Sequence, residues 1–323
     1  MFGSKSSKIN TTCGGRLMSV VVFGSINFDL TTYVPHLPAP GETLRGHSFI
    51  TVPGGKGANQ AVATTRLGAP TRFFGRMGND AFGWEVRPIV EQYGLDMSGI
   101  FVDDKNNTGL AVIAVDDRAE NSIVLISGAN MAVDESDVQR CIPALEQAKV
   151  LMLQLEVPLE ANLMVARAAK ERGVRVIWDP APALQLPKEA YALADYLTPN
   201  ESETNMLVGF QPTNPQEAAR AATILRERGV QTAIIKMGVQ GAYYQSLEES
   251  GFLPSYIVNA IDSVAAGDAF NGGLAVAVSE GKPLAEAMRW GAAAGALATT
   301  KPGAMPSLPT RAELEQLLRE GKM

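Results

Sequence analysis

Residues 150–180 read VLMLQLEVPLEANLMVARAAKERGVRVIWDP, with an apolar run at each end and an alanine-rich segment between them. The runs at 150–153 and 174–178 are short and apolar, which is typical of buried strands. Residues 159–172 have the length and composition of a helix, and Gly173 ends it. The segment therefore predicts a strand, a helix and a second strand that lies parallel to the first.

The same alternation extends in both directions from this unit. We predict further strands at 19–23, 72–75, 196–198, 233–236, 242–245 and 256–258. We predict further helices at 58–67, 83–93, 201–208, 215–228, 266–279, 283–299 and 310–320. Strands that alternate with helices form a mostly parallel sheet with helices on both faces. The predicted fold class is α/β, a doubly wound sheet sandwiched by helices, in which ligands bind beyond the carboxyl ends of the strands.

Two segments interrupt this alternation. Residues 29–53 are rich in Pro, Thr and Gly, and residues 106–127 contain two apolar runs around a polar turn at 116–121. Two short apolar runs around a polar turn predict a β-hairpin. We expect the two segments to pair into a small β-sheet lid outside the main body. Residues 18–323 then form one domain, and residues 1–17 are expected to be a disordered leader.

Composition and charge argue against several classes of protein. Hydrophobic residues make up 46% and charged residues 19% of the 323 residues, which is ordinary for a globular domain. The net charge is -6 and no basic run occurs, unlike in a typical nucleic-acid binder. No apolar run reaches the ~18 residues of a membrane helix. We expect a cytoplasmic protein that binds neither nucleic acid nor membrane.

The strongest local signal is DSVAAGDAFNGG at residues 262–273. Ala265, Ala266 and Gly267 are small residues that lead into a predicted helix, whose first amides lack partners and carry partial positive charge. Such a helix start binds anions, and small side chains let a phosphate approach the backbone. Asp268 follows in the first turn. An acid at this position either complements the helix dipole or acts as a general base beside a bound phosphate.

Three more segments occur with this one: GSINFD at 24–29, GGKGANQA at 54–61 and TPNESE at 198–203. Together the four resemble the signature segments of the ribokinase family of carbohydrate kinases, in the family's order. The resemblance spans residues 19 to about 309. It implies a ribokinase-like fold and the transfer of a phosphoryl group from ATP to a hydroxyl of a small sugar. Such a transfer depends mainly on positioning and charge stabilisation.

The resemblance implies a role for individual residues around the sugar. Asp268 matches the catalytic base, and the amides of Ala265, Ala266 and Gly267 match an anion hole for the migrating group. The positions that match sugar contacts, besides Asp268, are Asn27, Asp29, Gly54, Gly55, Lys56, Asn59 and Glu156.

The residue types by themselves leave alternatives open at several of these positions. Asp29 either accepts hydrogen bonds from two neighbouring hydroxyls or forms an Asx turn. Glu156 is either a sugar contact or a helix cap. Phe28 is bulkier than the small residue expected beside Asp29, and it either points into the core or narrows the pocket.

The resemblance also implies binding sites for the nucleotide and for ions. The nucleotide positions are Asn200, Glu203, Lys236, Gly238, Gly241 and Gly267. Mg²⁺ is expected with ATP, held through water near Asn200 and Glu203, which otherwise cap a helix. Lys236 stands where the family often has a hydroxyl residue, and it either pairs with phosphate or is exposed. A K⁺ site is implied at Asp262, Val264, Ala298, Lys301, Gly303 and Ser307.

The GGKGANQ string resembles family members that act on ribose more than those that act on fructose or adenosine. We therefore expect phosphorylation of the 5-hydroxyl of D-ribose to give ribose 5-phosphate and ADP, in a homodimer that pairs through the lid. Kinases for deoxyribose, fructose or adenosine are alternatives, as is a catalytically silent sugar-binding regulator. A nicotinamide-dependent oxidoreductase is disfavoured, because no GxGxxG follows the first strand.

Overall fold

A computed structural model describes residues 20–118 and 120–323 of the chain. Within these ranges the chain forms a large nine-stranded sheet with helices on both faces and a separate four-stranded sheet. The predicted fold class is confirmed. The leader predicted at 1–17 lies outside the described residues. None of the helices in the two ranges combines the length and the apolar character that crossing a membrane requires.

The helices and strands follow one another in the predicted α/β order from residue 150 onward. The strands are β1 (Val20–Phe23), β2 (Asn27–Val34), β3 (Ser48–Gly54), β4 (Thr71–Gly78), β5 (Ile100–Asp103), β6 (Gly109–Asp116), β7 (Asn121–Ile126), β8 (Val150–Leu153), β9 (Arg175–Trp178), β10 (Tyr196–Leu197), β11 (Thr232–Lys236), β12 (Gly241–Gln245) and β13 (Ser250–Pro254). The helices are α1 (Lys56–Arg66), α2 (Ala81–Glu91), α3 (Glu135–Leu145), α4 (Leu159–Glu171), α5 (Lys188–Leu193), α6 (Glu201–Val208), α7 (Pro215–Glu227), α8 (Ala266–Ser279), α9 (Leu284–Ala298) and α10 (Arg311–Glu320).

The order of the large sheet is β13-β12-β11-β10-β9-β8-β1-β4-β5. Neighbours from β11 to β5 are parallel, and β12 and β13 add an antiparallel edge. The chain starts at β1 inside the sheet and extends first to one side, through β4 and β5, and later to the other. This is the doubly wound arrangement, and it brings the carboxyl ends of the parallel strands to one edge.

Both faces of the large sheet are apolar, as β1 shows. Val20 and Val22 face a core that includes residues of α1, α2, α8, α9 and α10, whereas Val21 and Phe23 face a second core with α3 to α7. All four β1 side chains are completely buried. Because side chains alternate along a strand, a strand that is apolar at every position needs helices on both of its faces.

The small sheet has the order β3-β2-β6-β7 and contains the two segments that interrupt the α/β alternation. Its strands are antiparallel except for the β2–β6 pair. Strand β2 begins only four residues after β1 ends, so the small sheet starts at the carboxyl edge of the large sheet. Phe28 is buried and stacks on Phe82 of α2, with ring centroids 5.1 Å apart. Phe28 therefore points into the core.

The strand predicted at 256–258 is wrong. These residues have no strand partner, and the edge strand is β13, which ends at Pro254 and pairs with β12. Tyr256 is buried against the first core, while the amide of Ile257 donates to the carbonyl of Lys322 near the end of the chain. An apolar run that packs through a side chain and bonds outside the sheet has the same sequence pattern as a strand. Strand β5 and helices α3 and α5 do not appear among the elements predicted above.

Candidate active site

Helix α8, beside the site, begins without a capping side chain. It follows Ala265, which makes no side-chain hydrogen bond to the helix start. By contrast, the first amides of α1 are used, because those of Lys56, Gly57 and Ala58 donate to Glu156 Oε2, to Ser25 Oγ and to the carbonyl of Ser25. The first amides of an uncapped helix remain available to a ligand. The start of α8 is therefore the open helix start of the site.

The backbone at Ala265 is unusual, because its φ of 58° lies in the left-handed region. It is the one non-glycine residue with positive φ in the part of the chain that the structure describes. Such a conformation costs about 1–3 kcal/mol and occurs preferentially at functional sites. The amide of Ala266 already donates to the carbonyl of Ser263 at 3.2 Å. The amide of Gly267 follows it in the first turn of α8.

Asp268 lies in that first turn with its carboxylate buried. Oδ2 accepts a hydrogen bond from Asn59 Nδ2 and Oδ1 accepts one from Gln60 Nε2, each at 3.0 Å. Burial raises the pKa of the Asp268 carboxyl to about 6, although the charge of Lys56 and the two amide donors oppose the rise. The carboxyl group is therefore ionised at neutral pH, and its pKa is close enough to that pH for the group to accept and release a proton.

The glycine-rich loop before α1 packs directly on the strand that carries the predicted sugar contacts. Gly55 has a φ of 90°, and an ideal Cβ there would lie 2.8 Å from the backbone nitrogen of Asn27. A Cβ at Gly54 would lie 2.2 Å from Oδ2 of Asp29. Only glycine permits this approach. The loop thereby brings Asn27 and Asp29 next to Lys56, which begins α1.

Lys56 carries the positive charge of this region. Burial alone lowers the pKa of its ammonium group, but the surrounding carboxylates raise the pKa above its ordinary value and keep the group charged. These carboxylates, in order of influence, belong to Asp268, Asp179, Glu156 and Glu203.

Glu156 braces the loop and does not cap α4, the helix that follows it. Its Oε2 accepts from the hydroxyl of Ser25 and from the amide of Lys56 at 2.9 Å, and Pro158, which precedes α4, provides no side-chain cap. Asp29 packs against Gly54 of the same loop. Burial, and then the negative charge of Glu156, raise the pKa of the Asp29 carboxyl to about 7.

Asn27 is held by a residue that the sequence did not single out. Its Oδ1 accepts from Asn130 Nδ2 at 2.7 Å, and Asn130 also exchanges two hydrogen bonds with the backbone of Ile26. Asn130 is almost completely buried in the short helical turn Gly128–Ala132. A single Asn in a polar loop gives no sequence signal of this contact.

A cleft of about 580 Å³ runs from Asp268 toward β12, within the usual range for small-molecule sites. Gly238, Gly241, Asn200, Glu203 and Gly267 all line it. Apolar side chains line its far end, and Val239, Ile257 and Val258 are among them. The predicted base and the predicted nucleotide positions thus share one continuous space.

Asn200 and Glu203 cap α6 reciprocally. The Asn200 side chain accepts from the amide of Glu203 at 2.8 Å, and the Glu203 carboxylate accepts from the amide of Asn200 at 2.8 Å. The capping alternative is therefore realised, and both side chains line the cleft as well. Burial raises the pKa of the Glu203 carboxyl.

Lys236 ends β11 with a mostly buried side chain, so the exposed alternative is wrong. Its Nζ lies 3.0 Å from Oδ1 of Asp179, and an ideal Cβ on Gly267 would lie 3.5 Å from the same Nζ. The ammonium is therefore beside the start of α8. Asp179 and Gln60 are further functional candidates that the sequence interpretation missed, since each has the common appearance of a strand-end or helix residue.

The positions implied for K⁺ lie on the loop before α8 and on the segment that runs from the end of α9 to Ser307, and Asp262 joins the two. Its two carboxylate oxygens accept from the amides of Val264 at 2.9 Å and Gly303 at 2.8 Å. Ser307 donates to the carbonyl of Ala304, and Lys301 pairs with Glu313. Residues 20–118 and 120–323 contain no cluster of His, Cys, Asp and Glu suited to a metal ion. Asp262 thus bonds to backbone amides of both segments, and the K⁺ site stays a prediction.

Comparison with known proteins agrees with this geometry. Residues 18–311 match the family described as pfkB family carbohydrate kinase. The chain is 41% identical to a ribokinase of Haemophilus influenzae, with 93% of this chain and 98% of the relative covered. It is 32% identical to a deoxyribokinase of Salmonella typhi, with 93% and 99% covered.

A similar solved structure is that of Arabidopsis thaliana ribokinase complexed with ribose and ATP. It superposes with a TM-score of 0.86 at 32% identity and covers 94% of this chain and 99% of its own. The resemblance drawn from the four sequence segments is confirmed. The chain belongs to the pfkB family of carbohydrate kinases.

Proposed function

We propose that the protein transfers the γ-phosphoryl group of ATP to the 5-hydroxyl of D-ribose, giving ribose 5-phosphate and ADP. The observation that carries the proposal is the position of Asp268. Its buried carboxylate lies between Asn59 of α1, on the proposed sugar side, and the start of α8, which would receive a phosphate. A sugar hydroxyl that binds beside Asn59 would reach a phosphoryl group that binds at the start of α8.

In the reaction the hydroxyl oxygen of the sugar attacks the γ-phosphorus. A new O–P bond forms, the bond from phosphorus to the β–γ bridging oxygen breaks, and ADP leaves. Asp268 takes the hydroxyl proton, for which a carboxyl pKa of about 6 is well suited near neutral pH. The first amides of α8 and the ammonium groups of Lys56 and Lys236 would stabilise the negative charge that develops on the phosphoryl group.

Two ions complete the proposed site. Asn200 and Glu203 would hold Mg²⁺ through water, and bound Mg²⁺ neutralises charge on the phosphates. K⁺ would lie among Asp262, Ser307 and the carbonyls of Val264, Ala298, Lys301 and Gly303. In that position it would support the loop before α8.

Ribose is the proposed acceptor, because relatives named ribokinase are more similar to this chain than the deoxyribokinase is. Asp29 suits this choice, since an ionised carboxylate accepts from two neighbouring hydroxyls. A coupled assay of ADP release with ribose, deoxyribose, fructose and adenosine tests it. We expect the highest kcat/KM with ribose. A lower kcat/KM with ribose than with the other three acceptors would overturn the assignment.

We also propose a cytoplasmic homodimer that pairs through the small sheet. The register places Asp29, Thr31, Ile113, Ile123 and Leu125 on one face, because directly paired residues point the same way. The Ile123 and Leu125 side chains are 57% and 46% exposed. This apolar surface is continuous with the sugar side of the site and would be covered by a second copy.

A further inference from the structure

Gln60 connects two buried carboxylates. Its Nε2 donates to Oδ1 of Asp268 and to Oδ2 of Asp179, each at 3.0 Å, and its Oε1 accepts from Gln154 Nε2 at 2.6 Å. An amide nitrogen has two hydrogens, and both are used here. Rotating the amide would turn its oxygen toward two anions. The orientation of Gln60 is therefore fixed by its three partners.

Asp179 extends this connection to the phosphate side. Its Oδ1 accepts from Lys236 Nζ at 3.0 Å, beside Gly267 at the start of α8. Asp179 is only 2% exposed. We call the four residues Lys236, Asp179, Gln60 and Asp268 the Gln60 relay. It runs from the predicted phosphate position to the predicted base through direct hydrogen bonds alone.

Stability does not account for an ion pair in this position. Replacing a buried ion pair by apolar residues is often neutral or stabilising, because desolvation offsets the attraction of the charges. Asp179 follows the carboxyl end of β9, where ligands bind in such folds, and it lines the cleft together with Lys236. A charge pair that lines a binding cleft indicates a functional reason for its burial.

We propose that Asp179 is a positioning residue that holds Lys236 at the transferring phosphoryl group and, through Gln60, holds the Asp268 carboxylate at the attacking hydroxyl. This inference rests on the proposed kinase function and assigns further residues to the same site. Both carboxylate oxygens of Asp179 are engaged, by Gln60 and by Lys236, so Asp179 acts through these two neighbours. When the Asp268 carboxylate and the Lys236 ammonium are held at fixed positions relative to each other, fewer unreactive arrangements compete with the reactive one.

The charges around the base predict a specific signature. Lys56 and Asp179 face the Asp268 carboxyl, and Lys236 and Glu203 lie beyond Asp179. The Asp268 and Asp179 oxygens lie within about 6 Å of each other, since each is 3.0 Å from Gln60 Nε2. Removing the Asp179 charge should therefore move the acidic limb of the kcat/KM pH profile to lower pH by at least ~0.5 unit. This is the pKa shift that one charge at this separation produces in water.

The test compares Asp179→Asn with Gln60→Met and a matched control. In Asp179→Asn an NH₂ group replaces the oxygen that accepts from Gln60, so two donors face each other. The loss of this supporting hydrogen bond should lower kcat about 10- to 100-fold. Gln60→Met removes a donor to Asp268, so its acidic limb should move upward. The control is Asp195→Asn, which removes a Lys170–Asp195 pair of the same kind at the other end of the strands.

All variants are assayed for kcat, KM and the pH profile with the sugar that the wild-type enzyme phosphorylates best, after circular dichroism has established folding. The relay is supported if the acidic limb moves to lower pH in Asp179→Asn and to higher pH in Gln60→Met while it stays in place in Asp195→Asn. The relay is overturned if the limb does not move in the first two variants, or if it moves as it does in the control. If one of the two variants does not fold, the shift in the other decides. A wild-type protein that phosphorylates no sugar overturns the proposed function instead.

Discussion

Replacing Asp268 by Asn changes the charge of the proposed base and almost nothing of its shape. Both carboxylate oxygens accept hydrogen bonds, from Asn59 and from Gln60. Asn has one acceptor oxygen, so its NH₂ group must face one of these donors. The variant therefore removes the base, removes a buried negative charge and loses one hydrogen bond.

The expected effects on rate and on stability have opposite signs. Loss of a general base lowers kcat by about 10²- to 10⁴-fold. The Asp268 pKa is raised from 3.8 to about 6 by burial, so the folded state binds this proton more tightly than the unfolded state. Ionisation above pH 6 therefore destabilises the fold, by ~3 kcal/mol when complete. The lost hydrogen bond costs the variant about 1–3 kcal/mol. Asp268→Asn should be at least as stable as wild type at about pH 8.

Three measurements check this prediction. ADP release with ribose gives kcat, urea unfolding at about pH 8 gives the free energy of unfolding, and titration calorimetry gives ribose affinity. Ribose affinity should change only a few-fold, because Asp29 and the glycine loop are untouched. A variant that keeps more than about a tenth of wild-type kcat would refute the role of Asp268 as base. A variant less stable than wild type by about 1–3 kcal/mol or more would refute the assigned cost of burying the charge, because the lost hydrogen bond alone would account for that loss.

Three further predictions concern the sugar loop and the small sheet. Burial and a neighbouring carboxylate raise the Asp29 pKa to about 7, so ribose affinity measured by calorimetry should increase as pH rises through that value, and Asp29→Asn should abolish the dependence. Gly55→Ala forces a Cβ to 2.8 Å from the backbone of β2 and should lower the melting temperature more than Gly173→Ala, whose Cβ meets nothing within 4 Å; equal losses would contradict the packing. Ile123→Lys should convert a sedimenting dimer into a monomer, whereas Val124→Lys on the opposite face should not, and a dimer that survives both changes would exclude this surface.

Local signals in the sequence were sufficient for the fold class and for the open helix start before Asp268, whereas the role of Asp268 as a base came from the family resemblance and stays a prediction. Apolar runs, helix-ending glycines and their alternation depend on neighbouring residues only, so the α/β arrangement could be predicted from residues 150–180 outward. The small residues before Asp268 likewise predicted an open helix start, and α8 begins there. The strand predicted at 256–258 failed because an isolated apolar run does not specify its hydrogen-bond partner.

The supporting contacts of the site depended on the tertiary structure. Gln60 meets Asp179 across 119 positions and Asp268 across 208, and nothing near any of the three in sequence indicates the meeting. Glu156 changed from a possible helix cap to a brace for the loop for the same reason. The sequence by itself determined which residues could begin a helix, bind an anion or accept a proton. The order of strands in the sheet decided which of them lie within hydrogen-bond distance, because only the folded chain brings distant strand ends to one edge.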